Sequence, residues 1–193
     1  MNIGIISSAD DKIDNYYKSI ATSVAGYLAK DGFNLVFGGG STSLMGVCYR
    51  EFLREGRKIT AVATRKYKDE LDNLRCTDKV VCETTFDMKK EFFENSDIIV
   101  ALPGGIGTFS ELYSFIEEKR SNDKDIPIEI YDEDGYYLPF IEQLQMMVTN
   151  NMASPDIFDY FKVSRDKDEF VEHIESYRYK IENKGEMLRW IKI

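Results

Sequence analysis

Histidine, cysteine and basic charge are what this chain has least of. Its 193 residues include one histidine, His173, and three cysteines, Cys48, Cys76 and Cys82. One histidine all but excludes a histidine-based metal site or a triad built on imidazole, and no metal is expected. His173 lies in the polar pattern Phe170-Val171-Glu172-His173-Ile174 and reads as a helix-surface residue. The cysteines are odd in number and lack CxxC spacing, so they read as free thiols of a reducing compartment rather than a disulfide framework. Lysine and arginine number 25 against 34 aspartates and glutamates, a net charge of −9. That balance argues against a nucleic-acid partner, but a small anion responds to its local site rather than to the total. No apolar run approaches the roughly 20 residues that span a bilayer, so no membrane partner is expected. The opening Met1-Asn2-Ile3-Gly4-Ile5-Ile6 has no basic n-region and no cleavage site, so the expected location is cytoplasmic.

What is present is an ordinary apolar fraction, 43%, in a length that suits one domain over residues 1–193. Short apolar runs alternate with helical patterns. Strands are expected over 2–7, 33–37, 59–63, 79–83, 97–102, 126–131 and 160–163. Between them, Ile20, Val24, Tyr27 and Leu28 form one helical stripe, with Asp14 as a cap, and Leu44, Val47, Cys48 and Phe52 form another. Further helices are expected over 86–95, from the glycine turn at 103 to about 120, over 137–147 and over 167–179. The stretch 64–78 is charged and aperiodic, a long loop or an irregular helix. Residues 181–193, with Trp190, form a C-terminal extension that packs on a neighbouring subunit or remains loose. This alternation predicts an α/β fold, an open parallel sheet covered by helices on both faces.

Two glycine-rich turns fall at carboxyl ends of strands, where ligands bind in such sheets. One is Gly38-Gly39-Gly40-Ser41; the other is Pro103-Gly104-Gly105-Ile106-Gly107-Thr108-Phe109-Ser110-Glu111. Glycine admits close approach of a ligand, and the free N–H groups of the helix that follows suit a phosphate. Thr108-x-x-Glu111 also reads as a capping box, in which both side chains only satisfy backbone donors. Neither turn matches GxGxxG, and neither is followed by Gly-Lys-Ser/Thr, so dinucleotide and ATP sites are unsupported. Two adjacent glycine turns do suit a nucleoside monophosphate.

Gly38-Gly39-Gly40-Ser41-x-x-Leu44-Met45-Gly46 together with Pro103-Gly104-Gly105-x-Gly107-Thr108-x-x-Glu111 resembles the Lonely Guy (LOG) family of cytokinin riboside 5′-monophosphate phosphoribohydrolases, long labelled possible lysine decarboxylases. Ile5-Ile6-Ser7-Ser8 and Asp134-Gly135-Tyr136-Tyr137 extend the resemblance over nearly the whole chain. It implies a Rossmann-like fold, no cofactor, and a homodimer with sites near the dimer interface. It also implies hydrolysis of the N-glycosidic bond of a nucleoside 5′-monophosphate to free base and ribose 5-phosphate. On that resemblance Gly104, Gly105, Gly107 and Thr108 hold the phosphate, with Ser7, Gly39, Gly40 and Ser41 lining the same site. Glu111 is the catalytic carboxylate and Lys89 joins it. No pyridoxal-phosphate lysine motif supports the decarboxylase label.

The residue chemistry fits. Cleaving the bond develops positive charge on the ribose, which a carboxylate stabilises. Glu111 lies one helical turn from Thr108, roughly 5 Å along the axis, which is about the reach of a ribose. One position departs from the family: an arginine usually precedes the lysine, and here Met88 precedes Lys89 and Lys90. Lysine lacks the planar two-pronged donor of arginine. Lys89, Lys90, Arg65 and Arg120 are the candidates to supply the missing charge, and the two lysines also read as a solvated helix face. A nucleotide-binding or sensing module without turnover is the alternative function. The 24 Phe and Tyr residues offer no unique base partner, and core or interface packing is the expected role of Tyr136 and Tyr137.

Overall fold

In the computed structural model, which describes residues 1–121 and 125–183, seven strands form one parallel sheet. The chain alternates β1 (Asn2–Ile6), α1 (Asn15–Lys30), β2 (Asn34–Phe37), α2 (Ser43–Arg54) and β3 (Ile59–Thr64). A 3₁₀ turn and α3 (Lys68–Asp72) lead to β4 (Asp78–Cys82), α4 (Thr85–Asn95), β5 (Ile98–Ala101) and α5 (Ile106–Ser121). Then come β6 (Ile128–Tyr131), α6 (Leu138–Thr149), β7 (Lys162–Ser164) and α7 (Lys167–Glu182). The α/β, Rossmann-like expectation holds.

The spatial order β4-β3-β2-β1-β5-β6-β7 reverses between β1 and β5. Register makes that reversal a cleft. Ile5 pairs with both Phe37 and Val100, so β1, β2 and β5 end level and their loops leave side by side. Ser7, Gly38 and Leu102 are therefore neighbours at one edge.

Near-continuous apolar strands are what a sheet buried on both faces requires. Ile3, Ile5, Leu35, Phe37 and Val100 point to the α1, α2 and α7 side, with Val24, Leu28, Phe52 and Phe170. Ile6, Val36, Ile99, Ala101 and Ile130 point to the other side, with Phe92, Leu112, Phe115 and Phe140 of α4, α5 and α6. Fully burying each large apolar side chain contributes about 1.5–3 kcal/mol. Asp14 caps α1 as expected, its Oδ1 accepting from the Tyr16 N–H at 2.8 Å.

The surface assignment of His173 is corrected. Glu129 of β6 is fully buried, and its Oε1 meets His173 Nδ1 at 3.0 Å while Tyr177 donates its hydroxyl to Oε2 at 2.8 Å. A carboxylate in a sheet interior needs such partners, and the helix supplies them at adjacent turns. Burial holds the Glu129 carboxyl above the usual range. Residues 181 and 182 continue α7 rather than starting a separate extension, whereas 184–193, including Trp190, lie outside the described residues.

Candidate functional site

The first turn is built from an open backbone. Helix α5 begins at Ile106, and the Phe109 N–H donates to Gly105 O at 3.1 Å. Thr108 is thus the third helical residue and too far in to be the cap, which removes the capping-box reading of Thr108 and Glu111. Thr108 is buried, and a Cβ placed on Gly104 would lie 2.1 Å from its Oγ1, so only glycine fits there. Gly105 and Gly107 differ. A Cβ on either would meet nothing within 4 Å beyond the adjoining residues and the helix's own backbone. Glycine inside a helix costs about 1 kcal/mol relative to alanine, so packing does not explain Gly107. The first N–H groups of α5 have no intrahelical partner and face this space.

Glu111 stands one turn further along α5. Withdrawal from water pushes its carboxyl up to about 7, and the Lys89 ammonium opposes that shift. Lys89 crosses from α4 and donates to Ser110 O at 3.1 Å, Ser110 Oγ at 2.8 Å and Ser114 Oγ at 2.9 Å. The solvated-face reading of Lys89 is thereby excluded. Lys90 does face outward, toward Glu94 at 3.8 Å. Arg65 forks onto Glu83 and Arg120 onto Glu117, both on exposed surface, so neither arginine supplies charge beside Glu111. Met88 packs half-buried against the apolar cluster of α4 and α5.

Ser8 ties the Pro103 turn to the first turn of α2. The Ser8 N–H donates to Pro103 O and its carbonyl accepts from the Met45 N–H, both at 3.2 Å. The Ser7 hydroxyl is buried without a hydrogen-bond partner. In the second turn Gly39 has φ +76°, a region that favours glycine. The Ser41 N–H and hydroxyl both donate to Glu70 Oε1, at 2.8 and 2.7 Å, and the Ser43 N–H donates to Asp11 Oδ1 at 3.0 Å. Donors offered to a phosphate by sequence are held here by two of the chain's own carboxylates. Glu70 comes from α3, in the aperiodic stretch, where no sequence signal singles it out.

Beyond the first turn, the Tyr136 hydroxyl donates to Gly104 O at 2.6 Å and the fully buried Tyr137 hydroxyl to Leu102 O at 2.7 Å. The core role expected of Tyr137 holds. Tyr136 packs half-buried against the same apolar cluster, as expected, and also lines a cavity of about 290 Å³ with Tyr17, Ile13, Lys12 and the Gly104–Gly105 backbone. Larger cavities, about 570 Å³ between α5 and α6 and about 490 Å³ beside α1, lie away from both turns. Among the described residues no helix is long and apolar enough to cross a membrane.

Comparison with known proteins adds findings of three kinds. Residues 45–174 match the family described as possible lysine decarboxylase. The chain is 28% identical to the cytokinin riboside 5′-monophosphate phosphoribohydrolase LOG5 of Arabidopsis thaliana, over 84% of this chain and 72% of that one. It is 26% identical to the probable cytokinin riboside 5′-monophosphate phosphoribohydrolase LOGL2 of Oryza sativa subsp. japonica, over 90% and 72%. Among solved structures, the molybdenum cofactor carrier protein of Chlamydomonas reinhardtii superposes with a TM-score of 0.66 over 93% of this chain and 98% of that chain. At 15% identity it speaks to the fold alone.

Proposed function

We propose that this chain, which belongs to the possible lysine decarboxylase (LOG) family, hydrolyses the N-glycosidic bond of a nucleoside 5′-monophosphate. The observation that carries the reading is Glu111, a carboxyl with a raised proton affinity one turn beyond an open helix N-terminus. The phosphate docks on the first N–H groups of α5 beside the Thr108 hydroxyl, with Gly105 and Gly107 leaving it room. Fixing the phosphate sets the ribose against Glu111. As the bond from C1′ to the base nitrogen breaks, its electron pair leaves with the base and C1′ becomes cationic. Ionised Glu111 stabilises that charge, water adds to C1′, and the proton that this water loses ends on the base nitrogen that took the electron pair, giving free base and ribose 5-phosphate. Lys89 supplies a positive charge that acts on this carboxylate. Ser7 and the Gly39–Ser41 backbone border the cleft.

A second reading, nucleotide binding without turnover, is favoured by Met88, whose side chain is apolar and packed inward. Chromatography of free base after incubation with a panel of nucleoside monophosphates, including N6-modified AMP, separates the two. Release that disappears in Glu111→Ala supports the hydrolase, and saturable binding with no release supports the binding module. The proposal includes a homodimer, in which a second copy covers exposed apolar side chains such as Phe86, Ile106 and Met152. Light scattering in solution checks it.

A further inference from the structure

Lysine is a flexible point charge whose position must be fixed by whatever accepts its three protons. Lys89 has three acceptors on α5, the Ser110 carbonyl and the hydroxyls of Ser110 and Ser114. All three are neutral oxygens. They anchor the ammonium without cancelling its charge, as a carboxylate in the same place would. The two serines also bracket Glu111 in the helix, one residue before it and three after. Ser114 in turn donates to the Ser110 carbonyl at 2.7 Å, which fixes its own rotamer.

We infer that Ser110 and Ser114 are positioning residues, which hold the Lys89 ammonium over α5 so that its charge acts on Glu111. This inference rests on the assignment of Glu111 above. It explains how the site works with a methionine in place of an arginine. A guanidinium places its own charge through a rigid fork, whereas an amine on four methylenes needs an external cradle. Among the described residues, the groups that act electrostatically on Glu111 are Lys89 from α4 and Tyr137 from the turn after β6. Tyr137 is held neutral by burial, so Lys89 is the partner whose displacement changes the charge near Glu111.

The alternative is that the serines are only a strut between α4 and α5. A carboxyl carbon NMR titration of Glu111, assigned with Glu111→Gln, distinguishes the two and requires no turnover. In the unaltered protein the midpoint lies near 7. In the double variant S110A/S114A it moves upward by roughly half a unit or more, since loss of a nearby cation disfavours the carboxylate. Lys89→Met sets the limiting shift, and the double variant recovers most of it. Threonine at both positions restores the original midpoint. If the Lys89→Met midpoint moves while a folded S110A/S114A midpoint does not, the serines are a strut and the inference fails, with the hydrolase reading untouched. Should the double variant not fold, S114A alone is titrated, and a midpoint equal to that of the unaltered protein overturns the inference. In the hydrolysis assay S110A/S114A loses kcat/KM near pH 6.5 and regains it near pH 9. A loss equal at both pH values also counts against it.

Discussion

The two glycine turns occupy equivalent places at the ends of β2 and β5, on either side of β1, yet the chain treats them in opposite ways. The Gly38–Ser41 turn is closed by the protein itself. Glu70 accepts from the Ser41 N–H and hydroxyl, and Asp11 accepts from the Ser43 N–H. The Gly104–Thr108 turn is open, with Gly105 and Gly107 facing space that no protein atom fills. A glycine motif guarantees that something comes close to the backbone; it does not say whether that something is a ligand or the chain. Here the closed turn latches α3 and the loop after β1 against α2, and the open turn is where we propose that the phosphate docks.

The largest expected effect is at the carboxylate. Glu111→Ala lowers base release by about 10²–10³-fold, read as kcat, because it removes the group facing the developing charge. For the intact protein, kcat/KM for base release is expected to rise with pH through a midpoint near 7, since the proposed mechanism uses ionised Glu111 and kcat/KM reports the free protein. The same group gives a stability signature. Its folded proton affinity is raised, so its contribution is present in full below the unfolded value near 4.5 and fades as pH rises through about 7. Glu111→Gln is therefore more stable than the unaltered protein at pH 8, by about 1 kcal/mol after allowance for solvent screening, and matches it at pH 4. Denaturant midpoints at the two pH values check this.

Smaller effects sharpen the contrast between the turns. Gly107→Ala raises stability by up to about 1 kcal/mol, as alanine is the better helix former, while nucleotide affinity falls about tenfold. Stability and affinity moving in opposite directions is the mark of a glycine kept for a ligand; equal losses in both would give Gly107 a packing role. Met88→Arg restores the two-pronged cation, and severalfold faster base release is expected, with the stem covering the apolar patch that Met88 covers now. Unchanged release would show that Lys89 already supplies the charge. Glu70→Ala at the closed turn has the least effect on ligand, within about twofold in affinity, but it frees α3, and faster proteolysis between residues 64 and 78 reports the lost latch.

Sequence made the sheet legible because the strands are buried on both faces. Ile3, Ile5 and Ile6, then Ile98, Ile99 and Val100, leave no other assignment, and strand ends shift by only a residue or two, as where β4 runs Asp78–Cys82. The Thr108–Glu111 pair was legible in position and ambiguous in role. Only the helix start at Ile106 separates a cap from a site. What stayed hidden are contacts between residues far apart in the chain. Glu70 reaches Ser41 across 29 residues, and His173 reaches Glu129 across 44. Neither carries a periodic signature. In α3 only Leu71 is buried, too sparse a pattern to read as a helix. Ser110 and Ser114 look like solvent-facing helix residues until Lys89 is placed over them.

The contrast between the turns is tested most directly by backbone amide NMR during titration with a nucleoside 5′-monophosphate. Saturable shifts at Ile106, Gly107 and Thr108, with Gly39, Gly40 and Ser41 nearly still, are the predicted result. The largest shifts at Gly39–Ser41, with the start of α5 unmoved, would contradict it.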